Sequence, residues 1–341
     1  MYFPGWAPFE PTAFGAHKEF NVASVRTNGV DIEVDVRGEG PLVLLVMGLG
    51  AQMCWWPDEF VERFAAEGFR VARLDNRDTG LSSRFEFQPR SVLGLVGRRL
   101  LGRPVPAPYR LHDMADDLIG ILDAWNAPAA HLVGVSMGGM IAQLAAIRHP
   151  HRVKSLTGMM TTPGTLRSMI SHPRGARTLF AGPASDPEAS VARSERIFSA
   201  ITGRGQPSDM EAIRALARRC LERSFEPDAP RKHLAAVLAS GPWRQDLTQL
   251  KMPALLLHGS DDPLVLPSAG RAVAASIPGA EFELIDGMGH DLPRQLWPLI
   301  IERISCHVRR SEGTLDFTMP FAQDAACSAE GKNGEKNWNL S

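Results

Sequence analysis

His131-Leu-Val-Gly-Val-Ser-Met-Gly-Gly139 opens as a short, apolar, β-branched run. That is the pattern of a strand buried on both faces. Met140, Ile141, Leu144 and Ala145 follow at helical spacing. Between strand and helix, Gly134, Ser136 and Gly138 make a Gly-x-Ser-x-Gly. In a chain with 31 glycines this motif alone says little. A buried strand before it and an amphipathic helix after it are the setting of a nucleophile elbow. There a sharp turn lifts the serine oxygen above the sheet edge. The flanking positions are crowded, so glycine is needed on both sides, and the helix N-terminus below favours developing negative charge.

Outward from this point the same alternation recurs. Leu42-Val-Leu-Leu-Val46 and Pro253-Ala-Leu-Leu-Leu-His258 read as buried strands, with Arg70-Val-Ala-Arg-Leu-Asp75 and Arg152-Val-Lys-Ser-Leu-Thr157 as weaker ones. Residues 22–27 and 30–36, joined at Asn28-Gly29, read as an opening hairpin. Met114, Leu118, Ile121, Leu122 and Trp125 mark a helix between strands. Alternating strands and helices predict βαβ units around a parallel sheet. The alternation stops over residues 162–250, which carry helical patterns, many arginines and scattered Pro and Gly. This stretch is expected to be a helical cap inserted into an α/β core formed by residues 22–161 and 251–310. A last helix is expected over residues 292–309. Residues 1–21 are an N-terminal extension, and the polar tail 311–341 is expected to be disordered.

A serine nucleophile needs a base and a group to orient it. Among ten histidines, His290 in Gly287-Met-Gly-His-Asp-Leu-Pro293 follows the strand-like Glu281-Phe-Glu-Leu-Ile-Asp286. It therefore belongs on a loop at the carboxyl end of a strand, where sites of open α/β sheets form. The acid should come between them in the chain, and His258-Gly-Ser-Asp-Asp-Pro-Leu-Val265 offers both Asp261 and Asp262. Acyl transfer also needs oxyanion donors. The backbone N–H of Met137, next to the nucleophile, is one. The backbone N–H of Leu49, in Met47-Gly-Leu-Gly-Ala51, is the other, with Gly48 and Gly50 letting that loop bend inward.

Other chemistries find no support in the sequence. No third glycine completes a dinucleotide fingerprint at Gly48-x-Gly50, and there is no phosphate loop and no His-Glu-x-x-His zinc motif. No cofactor or metal is expected. Lys+Arg 37 against Asp+Glu 38 offers no case for nucleic acid or an anionic membrane surface. No apolar run approaches the roughly 18 residues of a membrane span. The apolar and basic run 92–101 is expected to be a short helix beside the site with its arginines in water. Cys54, Cys220, Cys306 and Cys327 are far apart and form no Cys-x-x-Cys. Nothing in their spacing suggests a disulfide, so a soluble protein in a reducing, cytoplasmic compartment is expected. The expected partner is a small-molecule ester, and the protein is expected to be a monomer or homodimer.

The motifs together resemble the α/β-hydrolase family over about residues 22–310. They are similar to the branch that contains aclacinomycin methylesterase. The resemblance rests on Trp56-Pro-Asp-Glu-Phe60, Asp75-Asn-Arg-Asp-Thr-Gly-Leu-Ser82, Pro106-Ala-Pro-Tyr109, Gly134-Val-Ser-Met-Gly-Gly-Met-Ile-Ala-Gln143 and the two loops of residues 258–265 and 287–293. It implies a mostly parallel, doubly wound sheet with an inserted helical cap, and a Ser136-His290-Asp262 triad. In this family the acid stands just before the proline of the His-Gly-x-x-Asp-Pro loop, which selects Asp262. The segment from Asp75 is implied to shape the turn behind the oxyanion loop. The implied activity is hydrolysis of carboxylic esters with short to medium acyl chains, or of methyl esters of bulky acids. Lactonase, amidase or carbon–carbon hydrolase chemistry would use the same triad. A non-catalytic binding protein is the reading from another class.

Overall fold

The computed structural model describes residues 22–88 and 91–313. Strands β1 (Val22–Thr27) and β2 (Val30–Arg37) form the opening hairpin, turning through Asn28 and Gly29, both at positive φ. Then follow β3 (Leu42–Val46), α1 (Asp58–Ala66), β4 (Arg70–Leu74), α2 (Val92–Leu100), α3 (Leu111–Ala124), β5 (Ala130–Val135), α4 (Met137–Arg148) and β6 (Val153–Met159). Helices α5 (Pro173–Leu179), α6 (Pro187–Ile201), α7 (Met210–Arg223) and α8 (Ala229–Ser240) come next, with no strand among them. The alternation resumes with β7 (Ala254–Gly259), α9 (Pro267–Ala274), β8 (Glu281–Ile285) and α10 (Trp297–Ser311).

The eight strands form one sheet in the order β1-β2-β4-β3-β5-β6-β7-β8. The pairings of β1 with β2 and β2 with β4 are antiparallel, and all others are parallel. Successive side chains of a strand leave on opposite faces. Leu44 and Val46 join one core with Leu118, Ile141 and Val273, whereas Val43 and Leu45 join another with Phe60, Phe64 and Ile304. Helices therefore cover both faces, which explains why the parallel strands read as continuous apolar runs. Removing a side chain such as Leu132, fully buried on β5, would cost about 2–5 kcal/mol. The chain winds from β3 outward to β4 and then returns to β5 on the other side of β3. The crevice between the ends of β3 and β5 is the switch point where ligands bind in such sheets.

Three sequence expectations shift. The last helix starts at Trp297, after a short 3-10 turn, and not near residue 292. Pro298 has no N–H and is tolerated only in the first helical turn, so it sets the start. Helix α10 also runs through Ser311, and Glu312 beyond it binds His131 and Lys154. The third concerns the cysteines. Cys54 and Cys220, 166 residues apart, are joined by a disulfide, and no described cysteine is free. The absence of pairs in the sequence spacing thus gives no argument for a reducing compartment. No described helix is long and apolar enough to cross a membrane. Helix α2 occupies residues 92–100 and packs on α8 through Leu95, with Leu93 and Leu100 exposed. The extension 1–21 and the tail beyond residue 313 lie outside the described residues.

Candidate active site

Strand β5 is buried throughout, and the chain turns from it into α4 at a single residue, Ser136, with φ 54° and ψ −117°. Such a conformation costs a non-glycine residue about 1–3 kcal/mol and persists only when its surroundings dictate it. Here Ser136 N donates to Met159 O at 2.8 Å, and Ser136 O accepts from Met140 N and from Thr161 Oγ1. The glycines of the motif are required by space. A Cβ on Gly134 would lie 2.3 Å from Gly138 O, and one on Gly138 would lie 2.0 Å from Val46 O.

Asp262 stands in the loop after β7 and His290 in the loop after β8. His290 Nδ1 and Asp262 Oδ2 are 2.7 Å apart, and both residues are buried. The other carboxylate oxygen accepts from Leu264 N at 2.8 Å and Val265 N at 2.9 Å. Burial pushes the Asp262 pKa up, but His290 and His258 outweigh it and bring the pKa down to about 2. The carboxylate is thus ionised and fixed, and it selects the His290 tautomer with Nδ1 protonated and Nε2 bare. Asp261 instead accepts from Arg204 N and does not reach His290. From the other side, His290 N donates to Ile201 O at the end of α6, and the neighbouring Asp291 accepts from Ser208 Oγ.

Leu49 and Met137 flank the elbow. A Cβ on Gly48 would lie 3.3 Å from Ser136 Cβ, so the loop of residues 47–51 rests on the serine. Asn76 Nδ2 holds this loop through Met47 O at 3.0 Å, and Asp75 Oδ1 takes Met53 N at 2.7 Å. The segment beginning at Asp75 does stand behind the loop. Met137 is the first residue of α4, so its N–H has no partner within the helix. The structure therefore pairs Asp262 with His290 and lays the Leu49 loop on Ser136. It contains no hydrogen bond between Ser136 Oγ and His290 among the described residues; such bonds often tighten only when substrate is present.

Several supporting residues escaped the sequence reading. Thr161 binds the Ser136 carbonyl, Gln143 Nε2 donates to Thr161 Oγ1, and Trp243 Nε1 donates to Gln143 Oε1. A glutamine inside the otherwise apolar α4 pattern was the one available hint. His258 lies 3.4 Å from Asp262 Oδ2 and contacts Val265 O. Among the described residues no three His, Cys, Asp or Glu side chains converge as metal ligands. A cavity of about 600 Å³ lined by Arg174, Glu195, Arg196 and Met210 includes none of Ser136, Asp262 and His290.

A mostly parallel sheet covered on both faces, with a serine elbow after β5 and a paired acid and histidine after β7 and β8, is an α/β-hydrolase fold. Residues 41–201 match the family model described as the alpha/beta hydrolase fold. The chain is 31% identical over 291 residues to rhodomycin D methylesterase from Streptomyces sp. (strain C5), spanning 80% of this chain and 91% of that protein. It is 30% identical, with the same coverage, to rhodomycin D methylesterase from Streptomyces peucetius. The chain belongs to the α/β-hydrolase family. Among solved structures, the meta-cleavage product hydrolase from Pseudomonas fluorescens IP01 shares the fold at a TM-score of 0.64 and 20% identity, covering 85% of this chain and 98% of that one.

Proposed function

We propose that this protein is a serine hydrolase of carboxylic esters, with Ser136 as nucleophile, His290 as base and Asp262 as the orienting acid. The observation that carries the proposal is the 2.7 Å bond between His290 Nδ1 and Asp262 Oδ2. It leaves the Nε2 lone pair of His290 for the serine proton. His290 Nε2 takes that proton as Ser136 Oγ bonds to the ester carbonyl carbon. The carbonyl electron pair moves onto oxygen, where the N–H groups of Leu49 and Met137 receive it. Collapse expels the alcohol oxygen, which takes the proton from His290, and an acyl-serine remains. Water then gives a proton to His290 and attacks the acyl carbon. The acid leaves, and the proton returns to Ser136.

The ester class is supported by the two relatives named methylesterases, which match this chain over most of its length. Methyl esters of bulky acids, and esters with short to medium acyl chains, are the proposed substrates. Helices α5–α8 are proposed to act as a cap over the crevice. Their apolar side chains reach the core next to the oxyanion loop, where Phe198 stacks on Trp55 at 4.8 Å.

The test is turnover of p-nitrophenyl and methyl esters by wild type, Ser136→Ala and His290→Ala, with fluorophosphonate labelling of the serine. Loss of turnover in both variants, and loss of labelling in Ser136→Ala, is expected. Wild-type turnover by Ser136→Ala would overturn the proposal.

A further inference from the structure

The loop that carries Leu49 is gripped from the helical insertion as well as from the sheet. Gly50 N donates to Nδ1 of His233 at 2.9 Å. His233 lies on α8, fully buried, 183 residues along the chain from Gly50. Its other ring nitrogen, Nε2, is 2.6 Å from Arg77 O. A peptide N–H can only donate and a carbonyl can only accept, so these partners dictate one tautomer: Nδ1 bare, Nε2 protonated. Burial pushes the imidazole pKa down, against the pull of the Arg77 carbonyl and Asp78, with Lys232 also lowering it. The neutral form that the bond requires is thereby favoured. Helix α8 also closes off the space beside the loop, since a Cβ on Gly50 would meet the Pro230 ring at 2.6 Å.

The geometry around Leu49 gives this contact a meaning. The peptide before the Gly48–Leu49 unit is held at Met47 O by Asn76. The peptide after it is held at Gly50 N by His233. The unit between them carries the Leu49 N–H. Pinning both neighbours leaves that N–H little freedom to turn, which is the preorganisation an oxyanion donor needs. We propose that His233 is a positioning residue of the oxyanion hole, and that through it the helical insertion forms part of the catalytic apparatus. The proposal rests on the reading of Leu49 as an oxyanion donor.

Two substitutions separate the two bonds of the ring. In His233→Gln the side-chain amide nitrogen reaches the place of Nε2 and keeps the Arg77 bond, but nothing accepts from Gly50. In His233→Asn the side-chain oxygen takes the place of Nδ1 and restores that acceptor. Expected for His233→Gln is a fall in kcat of roughly 10–100-fold, with KM within about threefold of wild type. A trifluoromethyl ketone, which binds as a tetrahedral oxyanion, should weaken in parallel, while inhibition by the product acid stays unchanged. His233→Asn should recover most of the loss. Equal losses in the two variants, or wild-type kcat in a folded His233→Gln, would overturn the proposal. If His233→Gln does not fold, ¹⁵N chemical shifts of the wild-type imidazole decide. A protonated Nδ1 contradicts the Gly50 bond, and a bare Nδ1 supports it. If the wild type is labelled at Ser136 but the ketone fails to inhibit it, the oxyanion reading of the loop has failed, and the role of His233 falls with it even where the Gly50 bond stands.

Discussion

Ser136 is held at a backbone angle that glycine adopts far more readily than any residue with a Cβ. Ser136→Gly is therefore expected to be at least as stable as Ser136→Ala in urea unfolding, although glycine loses more entropy on folding. Both should lose about 10⁴-fold or more in kcat if the proposed triad operates, because members of a triad act as a unit. Asp262 and Asp261 are neighbours with separate partners, His290 for one and Arg204 N for the other. Asp262→Ala should lower kcat by about 10³–10⁴-fold, and Asp261→Ala by less than about threefold. The reverse ranking would mean that the loop is read one residue out of register. The depressed pKa of Asp262, about 2 against an ordinary 3.8, makes a pH prediction. A carboxylate with a depressed folded pKa stabilises the fold above its unfolded pKa, and that stabilisation is lost as pH falls through the folded one. Wild type should thus lose on the order of 2 kcal/mol between about pH 4 and pH 2 that Asp262→Asn does not lose. Denaturant titrations across that range measure the difference.

At the scale of elements, the junction between α7–α8 and the β3–α1 connection stands out. Cys54, in the short helical turn after the Leu49 loop, is bonded to Cys220 of α7. Arg223 of the same helix reaches Asp75, and Lys232 of α8 reaches Asp78. Gln52 donates to Cys220 O and Ser224 O. A disulfide closing a loop of 166 residues is worth about 2–5 kcal/mol through the entropy of the unfolded chain. Joint replacement of Cys54 and Cys220 by Ala should cost that much in guanidinium unfolding. Reductant also breaks the disulfide of Cys306, so the reductant-treated wild type should lose at least as much as the double variant. A double variant as stable as the oxidised protein would show that the bond does not form in solution.

At the scale of the whole molecule, the second half of the helical insertion, α7 and α8, is fastened to the core. A lid that lifted α7 and α8 together at an oil–water surface would have to break the Cys54–Cys220 bond and the buried Lys232–Asp78 pair. Activation at an interface is therefore not expected. With emulsified tributyrin the rate should saturate smoothly, with no jump at the solubility limit. Across p-nitrophenyl esters from acetate to palmitate, kcat/KM should fall at the long end. A steady rise toward palmitate, or an interfacial jump, would move the assignment to a lipase.

The elements that span few residues were readable along the chain. Buried parallel strands need uninterrupted apolar runs, and the elbow at Ser136 needs glycines on both sides, so local composition announces both. Ser136, His290 and the loop of Leu49 could be put forward as candidates for the same reason: each sits at the end of a recognisable strand. The choice of Asp262 over Asp261 was not readable from the residues, since either could serve a turn, and it needed the family resemblance. Contacts between distant parts of the chain were beyond reach. Cys54 meets Cys220, His233 meets Gly50 and Thr161 meets the Ser136 carbonyl only because the strand order and the docking of α7 and α8 bring them together. None of these residues carries a local pattern that names its partner. The physical reason is that periodicity records which face of an element is buried. What that face, or a buried polar atom on it, will touch is decided by packing in three dimensions.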